Sequence, residues 1–136
     1  MSGAEAFFDT SVVLYLFSAD PAKANCAEEL LARGGQISVQ VLNELANVAR
    51  RKLGFPWREV IEITSQIEAL CSVAPLTVET HAKGLRTAER YGLSVYDGMI
   101  VAAALISGCN VLYTEDMQDG QLIDAQLTLR NPFVAR

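Results

Sequence analysis

Apolar residues along this chain recur with two periods, and the alternation between them predicts the fold. The segment EAFFD, residues 5–9, is a short apolar run ending on Asp9 and predicts a buried strand. Ser11 to Ser18 is again mostly apolar and predicts the opening of a helix, with Asp20-Pro21 as a turn after it. Ala24, Ala27, Leu30 and Leu31 give a helical pattern over 22–33, stopped by Gly34-Gly35. Gln36 to Val39 predicts a second short strand. Ser38 is placed to cap a helix running to about Leu53, with Leu42, Leu45, Val48 or Ala49, and Leu53 at helical spacing. Gly54 and Pro56 close it.

Trp57 to Leu70 repeats the period at Val60, Ile63, Ile67 and Leu70. Ser72 to Val78 contains a β-like run split by Pro75. Glu79 to Tyr91 is amphipathic and ends at Gly92. Asp97 then heads the most apolar helix, whose run GMIVAAALISG is terminated by Gly108. Asn110 to Tyr113 predicts a strand followed by an acidic turn, TEDMQDGQ, and Leu127 to Leu129 a last short strand. Short strands alternating with helices predict an α/β sandwich with a mostly parallel sheet. No repeat, low-complexity segment or linker divides the chain, so its 136 residues are expected to form one domain, 1–136.

Composition narrows the class. Half the residues are hydrophobic (51%) and 20% are charged, enough apolar material for a core and too little charge for a disordered chain. No apolar run reaches the roughly 18–20 residues of a membrane span, and the N-terminus lacks the basic region of a signal peptide, so a cytoplasmic location is expected. Cys26, Cys71 and Cys109 are widely spaced and odd in number. They predict reduced thiols acting as small hydrophobes rather than disulfides or a zinc site. A net charge of −5 argues against a nucleic-acid binder. That objection weakens if several acids share one bound cation, which reverses the local sign.

The acids fall where such a cation would be useful. Sites in parallel sheets form outside the carboxyl ends of strands. Asp9 ends the first strand, Glu44 lies on the second turn of the helix after the second, and Asp116 follows the strand ending at Tyr113. Asp97 opens the apolar helix. Each has a structural alternative: a helix cap for Asp97, a turn residue for Asp116, a solvated helix acid for Glu44. Asp9 is hardest to place otherwise, because a carboxylate between EAFF and TSVVLYLF heads into a core and buried charges need partners. Two carboxylates about 4 Å apart repel by roughly 4 kcal/mol at an effective dielectric of ~20. Four together require compensation, and oxygen-only ligands suit Mg²⁺ or Mn²⁺. Phosphodiester hydrolysis is the natural reaction for that equipment.

The segments FFDTSVVLYLF, ISVQVLNELANVARRK, YDGMIVAAALISGCNVLYTEDMQDGQ and LRNPF together resemble the PIN-domain family, in particular the VapC toxins of type II toxin–antitoxin systems. The resemblance implies a parallel sheet flanked by helices, Mg²⁺- or Mn²⁺-dependent endoribonuclease activity on RNA, inhibition by a cognate VapB-type antitoxin, and a homodimer. Carried over by position, it implies that Asp9, Glu44, Asp97 and Asp116 are catalytic, with Asp9, Asp97 and Asp116 on the metal. Thr10 and Thr114 would orient the carboxylates, and Asp119 would be an outer helper. Ser11 stands where many relatives have Asn. Gly98 stands where Ala is common, a change expected to loosen that helix start by up to about 1 kcal/mol.

The remaining candidates have bland alternatives. Arg50, Arg51 and Lys52 suit a helix C-terminus, or else a phosphate or partner carboxylate. Lys83, Arg86 and Arg90 share a helix face that is either solvated or an RNA track. His81 stands alone and is expected to be non-catalytic. Trp57 is expected in packing or an interface. Ser11 has no histidine near it in sequence, which makes a serine triad a poor reading. A haloacid-dehalogenase-like phosphatase would need a second Asp where Ser11 stands. A catalytically weak PIN-like module acting through protein binding is the other alternative.

Overall fold

The way the chain punctuates its short apolar strands sets the architecture. The computed structural model describes residues 6–134, in which helices alternate with strands. Strand β1 (Ala6–Phe8) carries Phe7 and Phe8, both fully buried. Helix α1 (Thr10–Leu14) runs into a 3₁₀ turn, Tyr15–Phe17. Asp20 caps α2 (Pro21–Ala32), its Oδ1 accepting from the N–H groups of Ala22 and Lys23, with Pro21 as the first helical residue. The Asp20-Pro21 pair, expected as a turn, is therefore a helix start.

Strand β2 (Gln36–Ser38) passes directly into α3 (Val39–Arg51), where Ser38 Oγ accepts from the Val41 N–H at 3.3 Å. This helix ends before the expected Leu53. The N–H groups of Lys52 and Leu53 both return to the Val48 carbonyl, and Gly54 takes a φ of +71°. Leu53 is exposed, and the buried face runs through Val41, Leu45 and Ala49. Helix α4 (Trp57–Leu70) buries Val60 and Ile67 but leaves Leu70 exposed. Strand β3 (Ser72–Ala74) stops before Pro75, which has no N–H for a ladder. Helix α5 (Val78–Tyr91) is capped reciprocally by Thr77 and Thr80. Helix α6 (Val95–Ile106) starts earlier than expected, because Ser94 rather than Asp97 is its cap: Ser94 Oγ accepts from the Asp97 N–H at 3.1 Å.

Strands β4 (Val111–Tyr113), β5 (Leu122–Ile123) and β6 (Leu127–Arg130) complete one sheet of order β3-β2-β1-β4-β6-β5. All pairings are parallel except β5 with β6. The sequence pattern does not announce β5, since two residues carry no periodicity. Its turn into β6 holds Asp124 and Ala125 at positive φ, pinned by Tyr91, whose hydroxyl donates to Asp124 Oδ1 and accepts from the Asp124 N–H. After β1 the chain moves outward through β2 and β3, then returns to β4 on the other side of β1. Clefts form at such switch points, outside the carboxyl ends of the strands.

One core cluster joins the sheet to the helices, with Phe7, Val12, Ile37, Leu45, Ile100 and Leu129 among its buried members. Cys26, Cys71 and Cys109 form no disulfide, and burial pushes the Cys71 and Cys109 thiols up to about 11. No helix among the described residues is long and apolar enough to cross a membrane.

Gly98 proves to be a packing residue rather than a loosening one. A Cβ there would stand 2.5 Å from the Gly84 carbonyl oxygen and 2.9 Å from Ala88 Cβ on α5. The steric gain from glycine outweighs its helix propensity cost of about 1 kcal/mol. Gly98→Ala is therefore expected to destabilise the protein by about 1–3 kcal/mol. Thermal unfolding checks this; an equal or higher Tm would show that α5 and α6 part freely.

Candidate active site

Parallel register builds the centre of the site. Phe8 pairs with Tyr113, so the residues that follow them, Asp9 and Thr114, leave β1 and β4 side by side. The Asp9 N–H continues the ladder to the Tyr113 carbonyl at 3.0 Å, and the Thr114 N–H does the same to Arg130. Asp9 is 1% exposed. Its Oδ1 accepts from the Thr10 N–H at 2.8 Å, making it the cap of α1. Its Oδ2 accepts from the Ser11 hydroxyl at 2.8 Å and the Thr114 hydroxyl at 2.7 Å. Both hydroxyls are also acceptors: Thr114 Oγ1 takes the Asp116 N–H at 3.2 Å, and Ser11 Oγ takes the Glu115 N–H at 3.0 Å. The two side chains thus tie the acidic turn after β4 to the end of β1.

Thr10 reaches a different acid from the one its sequence position suggests. Its hydroxyl donates to Glu44 Oε1 at 2.8 Å, while Gln40, one turn earlier on α3, donates to Glu44 Oε2 at 3.0 Å. Asp97, half-buried, comes from the first turn of α6, and Asp116 is the most open of the four. Their electrostatics join them. Burial pushes the Asp9 carboxyl up to about 6, against the Thr114 and Ser11 hydrogen bonds, with the Asp97 and Asp116 charges adding to the rise. Asp97 is raised by burial, then by Glu44 and Asp116. Asp116 is raised by burial, then by Glu115 and Glu44. The four acids selected in the sequence therefore share one field.

No Lys or Arg among the described residues forms an ion pair with any of these four acids. Like charges gathered in this way repel one another and are relieved by an added cation, and an oxygen-only donor set suits a hard divalent ion. Among the described residues no three Asp, Glu, His or Cys side chains form a ready-made metal cage.

Other candidates are placed elsewhere. Asp119 Oδ1 accepts from the Asn131 N–H at 2.8 Å, so this carboxylate holds the segment after β6. His81 is exposed on α5. Lys83 and Arg90 approach Asp124 at 3.9 and 3.8 Å, which makes them supports of the β5–β6 turn. Arg50 donates to the Phe55 carbonyl at 3.1 Å and lies 4.8 Å from the Trp57 ring centre. Sequence reasoning missed the Lys23 cluster. Lys23 Nζ stands 3.1 Å from Glu115 Oε2, and the Tyr15 hydroxyl donates to Glu115 Oε1 at 2.6 Å. These contacts lock Glu115, and with it the turn carrying Asp116. Glu115 lies 100 residues from Tyr15 and 92 from Lys23 in the chain, and no local spacing links it to them.

Thr114→Val tests the hub. The substitution keeps the shape but removes a donor to Asp9 and an acceptor for the Asp116 N–H. A loss of about 1–3 kcal/mol is expected, with the Asp9 carboxyl titrating higher than in the wild type. Denaturant midpoints and a carboxyl-carbon NMR titration measure both, and an unchanged Asp9 midpoint would refute the hub role.

The fold is found in other proteins. Among curated proteins none matches this sequence. Among solved structures, a toxin–antitoxin complex from Klebsiella pneumoniae is similar at a TM-score of 0.70 and 19% identity, over 94% of this chain and 98% of that one. The VapC20 toxin of Mycobacterium tuberculosis, described as cleaving the sarcin–ricin loop, gives 0.67 and 22%, over 82% and 89%. VapBC2 of Rickettsia felis, bound to promoter DNA, gives 0.66 and 21%, over 93% and 97%. The family profile described as PIN domain matches residues 6–118, a stretch that runs from β1 through the acidic turn and takes in all four carboxylates. The chain belongs to the PIN domain family.

Proposed function

We propose that this chain is a metal-dependent endoribonuclease serving as the toxin of a VapBC-type toxin–antitoxin module. The observation that carries the reading is the electrostatic coupling of Asp9, Glu44, Asp97 and Asp116, without an ion-pair partner among the described residues, around the carboxyl ends of β1 and β4. Asp9, Asp97 and Asp116 are the proposed holders of Mg²⁺ or Mn²⁺. Once bound, such an ion polarises a phosphate oxygen and lowers the pKa of a water. Asp9 is fixed by three donors and Glu44 by two, so the carboxylates are oriented before any ligand arrives. Glu44 is the carboxylate left to take the proton of the attacking water. Thr10 and Thr114 act as positioning residues, and Ser11 joins them. Asp119 is left out of the set.

The similarity to structures of toxin–antitoxin complexes supports a cognate VapB-type antitoxin as partner. A homodimer acting on cytoplasmic RNA is the working form in this proposal. An inhibitor that places an Arg among the four acids would satisfy them without metal. Sequencing of RNA 5′ ends after brief induced expression tests the activity. New ends are expected with the wild type and not with Asp97→Asn; no difference between the two would end the ribonuclease reading. Calorimetry adds a readout independent of turnover. Mn²⁺ is expected to bind the wild type and to bind Asp9→Asn far more weakly.

A further inference from the structure

Beside the acids, one face of α3 carries polar residues at Gln40, Glu44, Asn47 and Arg51, spaced i, i+4, i+7 and i+11. Two concavities lie along this face. One, of about 340 Å³, is lined by Gln40, Asn43, Glu44, Asn47 and Tyr96. The next, of about 610 Å³, is lined by Ala46, Asn47, Arg50, Arg51 and Trp57. Asn47 lines both, so the two adjoin along one groove-like face that starts at a site carboxylate. Each end holds an exposed aromatic: Tyr96, next to Asp97, is 63% exposed, and Trp57 is 60% exposed.

The chemistry of the groove differs from that of the acid cluster. Its floor is amide and aromatic, and its far end is basic. From Glu44 to Arg51 is roughly 10 Å along the helix at 1.5 Å per residue. Arg51 is exposed, and its guanidinium makes no hydrogen bond or ion pair with other described residues. Arg50 is held by the Phe55 carbonyl and covers one side of the Trp57 ring, which stiffens it as a platform. Single-stranded nucleic acids are bound by this combination: aromatics that stack bases, cations that meet phosphates and amides that meet base edges. A protein partner seated on two isolated aromatics would leave the amides between them poorly paired.

We infer that this groove carries the single-stranded RNA on one side of the scissile phosphate, with one base stacked on Tyr96, another on Trp57 and a phosphate between them on Arg51. The inference rests on the proposed ribonuclease function and names how that site holds its substrate. It also removes the difficulty of the −5 net charge, because the basic contact is local and separate from the acids.

Trp57 is the sole tryptophan, so its fluorescence reports the groove directly. Titrating the full chain in EDTA with a single-stranded oligoribonucleotide is expected to quench that fluorescence to saturation. Tyr96→Ala and Trp57→Ala are each expected to weaken binding about 5- to 100-fold, the range for one lost base stack. Binding by the alanine variants is read by oligonucleotide anisotropy, and Trp57→Phe and Tyr96→Phe should restore most of the affinity. Arg51→Gln is expected to lower the slope of log K against log salt by about 0.7. In cleavage assays with metal the loss should fall on KM more than on kcat. Circular dichroism of each variant identifies any that misfold, and the phenylalanine variants then carry the comparison. If the wild type cleaves RNA while Trp57 fluorescence stays constant and the alanine variants bind equally well, the groove is wrong and the nuclease reading stands. If the oligonucleotide quenches Trp57 and no cleavage occurs with Mg²⁺ or Mn²⁺, the groove stands and the nuclease reading fails. If Trp57→Ala splits an oligomer in sedimentation without changing RNA affinity, the face belongs to a second copy of this chain and the inference is overturned.

Discussion

Asp97→Asn is expected to lose RNA cleavage by on the order of 10³-fold and, at the same time, to make the metal-free protein more stable. The two effects have one source. Burial raises the Asp97 carboxyl pKa first, and the Glu44 and Asp116 charges raise it further, against a smaller opposing contribution from Ser94. A carboxyl pKa raised on folding means that the ionised group is worse off in the folded chain than in the unfolded one. At pH 7 the neutral amide relieves that penalty, while the backbone contact of residue 97 to the Ser94 hydroxyl is kept. A Tm increase of a few degrees is the expected readout in EDTA. The rate suffers because a carboxylate on the metal helps to supply several kcal/mol of transition-state stabilisation, and each 1.36 kcal/mol is tenfold. Loss of cleavage with a raised Tm separates a functional carboxylate from a structural one. Cleavage retained within tenfold would remove Asp97 from the chemistry. A lower Tm would mean that the carboxylate has favourable partners and that the field described around it is wrong.

What could be read in the sequence depended on how local its cause was. The strand ending at Asp9 was legible because an apolar run closing on an acid is a contiguous signal, and the helix from Ser38 was legible because cap and period agree. The ends of helices were less so. Leu53 fits the period of α3, yet the backbone turns back on Val48 and leaves it outside. Ser94 and Asp97 both suit a cap, and only the chain's entry angle decides for Ser94. The gathering of Glu44 and Asp116 with Asp9 depends on sheet order, which no spacing encodes; the family resemblance pointed to those residues and the register of β1 on β4 explains part of the result. Gly98 shows the opposite failure. Its propensity is a local quantity, whereas its role depends on a carbonyl of α5 that the sequence places fourteen residues away. The Lys23–Tyr15–Glu115 cluster was invisible for the same reason.

Stability without metal should fall as pH rises through the mildly acidic range, the reverse of ordinary acid unfolding. Asp9 titrates at about 6 in the folded chain against 3.8 for an unperturbed carboxyl, chiefly because it is buried. Between those values the folded state holds a proton that the unfolded state has released, so the folded state is favoured by protonation. The contribution is fully present below pH 3.8 and is lost as pH rises through about 6. A shift of this size corresponds to about 3 kcal/mol. Asp97 and Asp116 are raised as well and act in the same direction. The measurement is the urea midpoint in EDTA from pH 4.5 to 7.5 for the wild type minus that of Asp9→Asn, which cancels the titration of the acids that do not interact with Asp9. A difference that declines with pH and levels off above about 6.5 is expected. Mn²⁺ must act in the opposite sense, since it needs the ionised carboxylate. Its affinity should rise through the same pH window, with release from Asp9 of about half a proton per ion near pH 6 and close to one at about pH 5. At a hundred times its Kd it should return about 2.7 kcal/mol of stability. A difference curve that is flat from pH 5 to 7 would show that Asp9 is already compensated within the fold. A declining curve on which Mn²⁺ has no effect would leave Asp9 a buried acid in search of a proton rather than a metal, and would take the proposed chemistry with it.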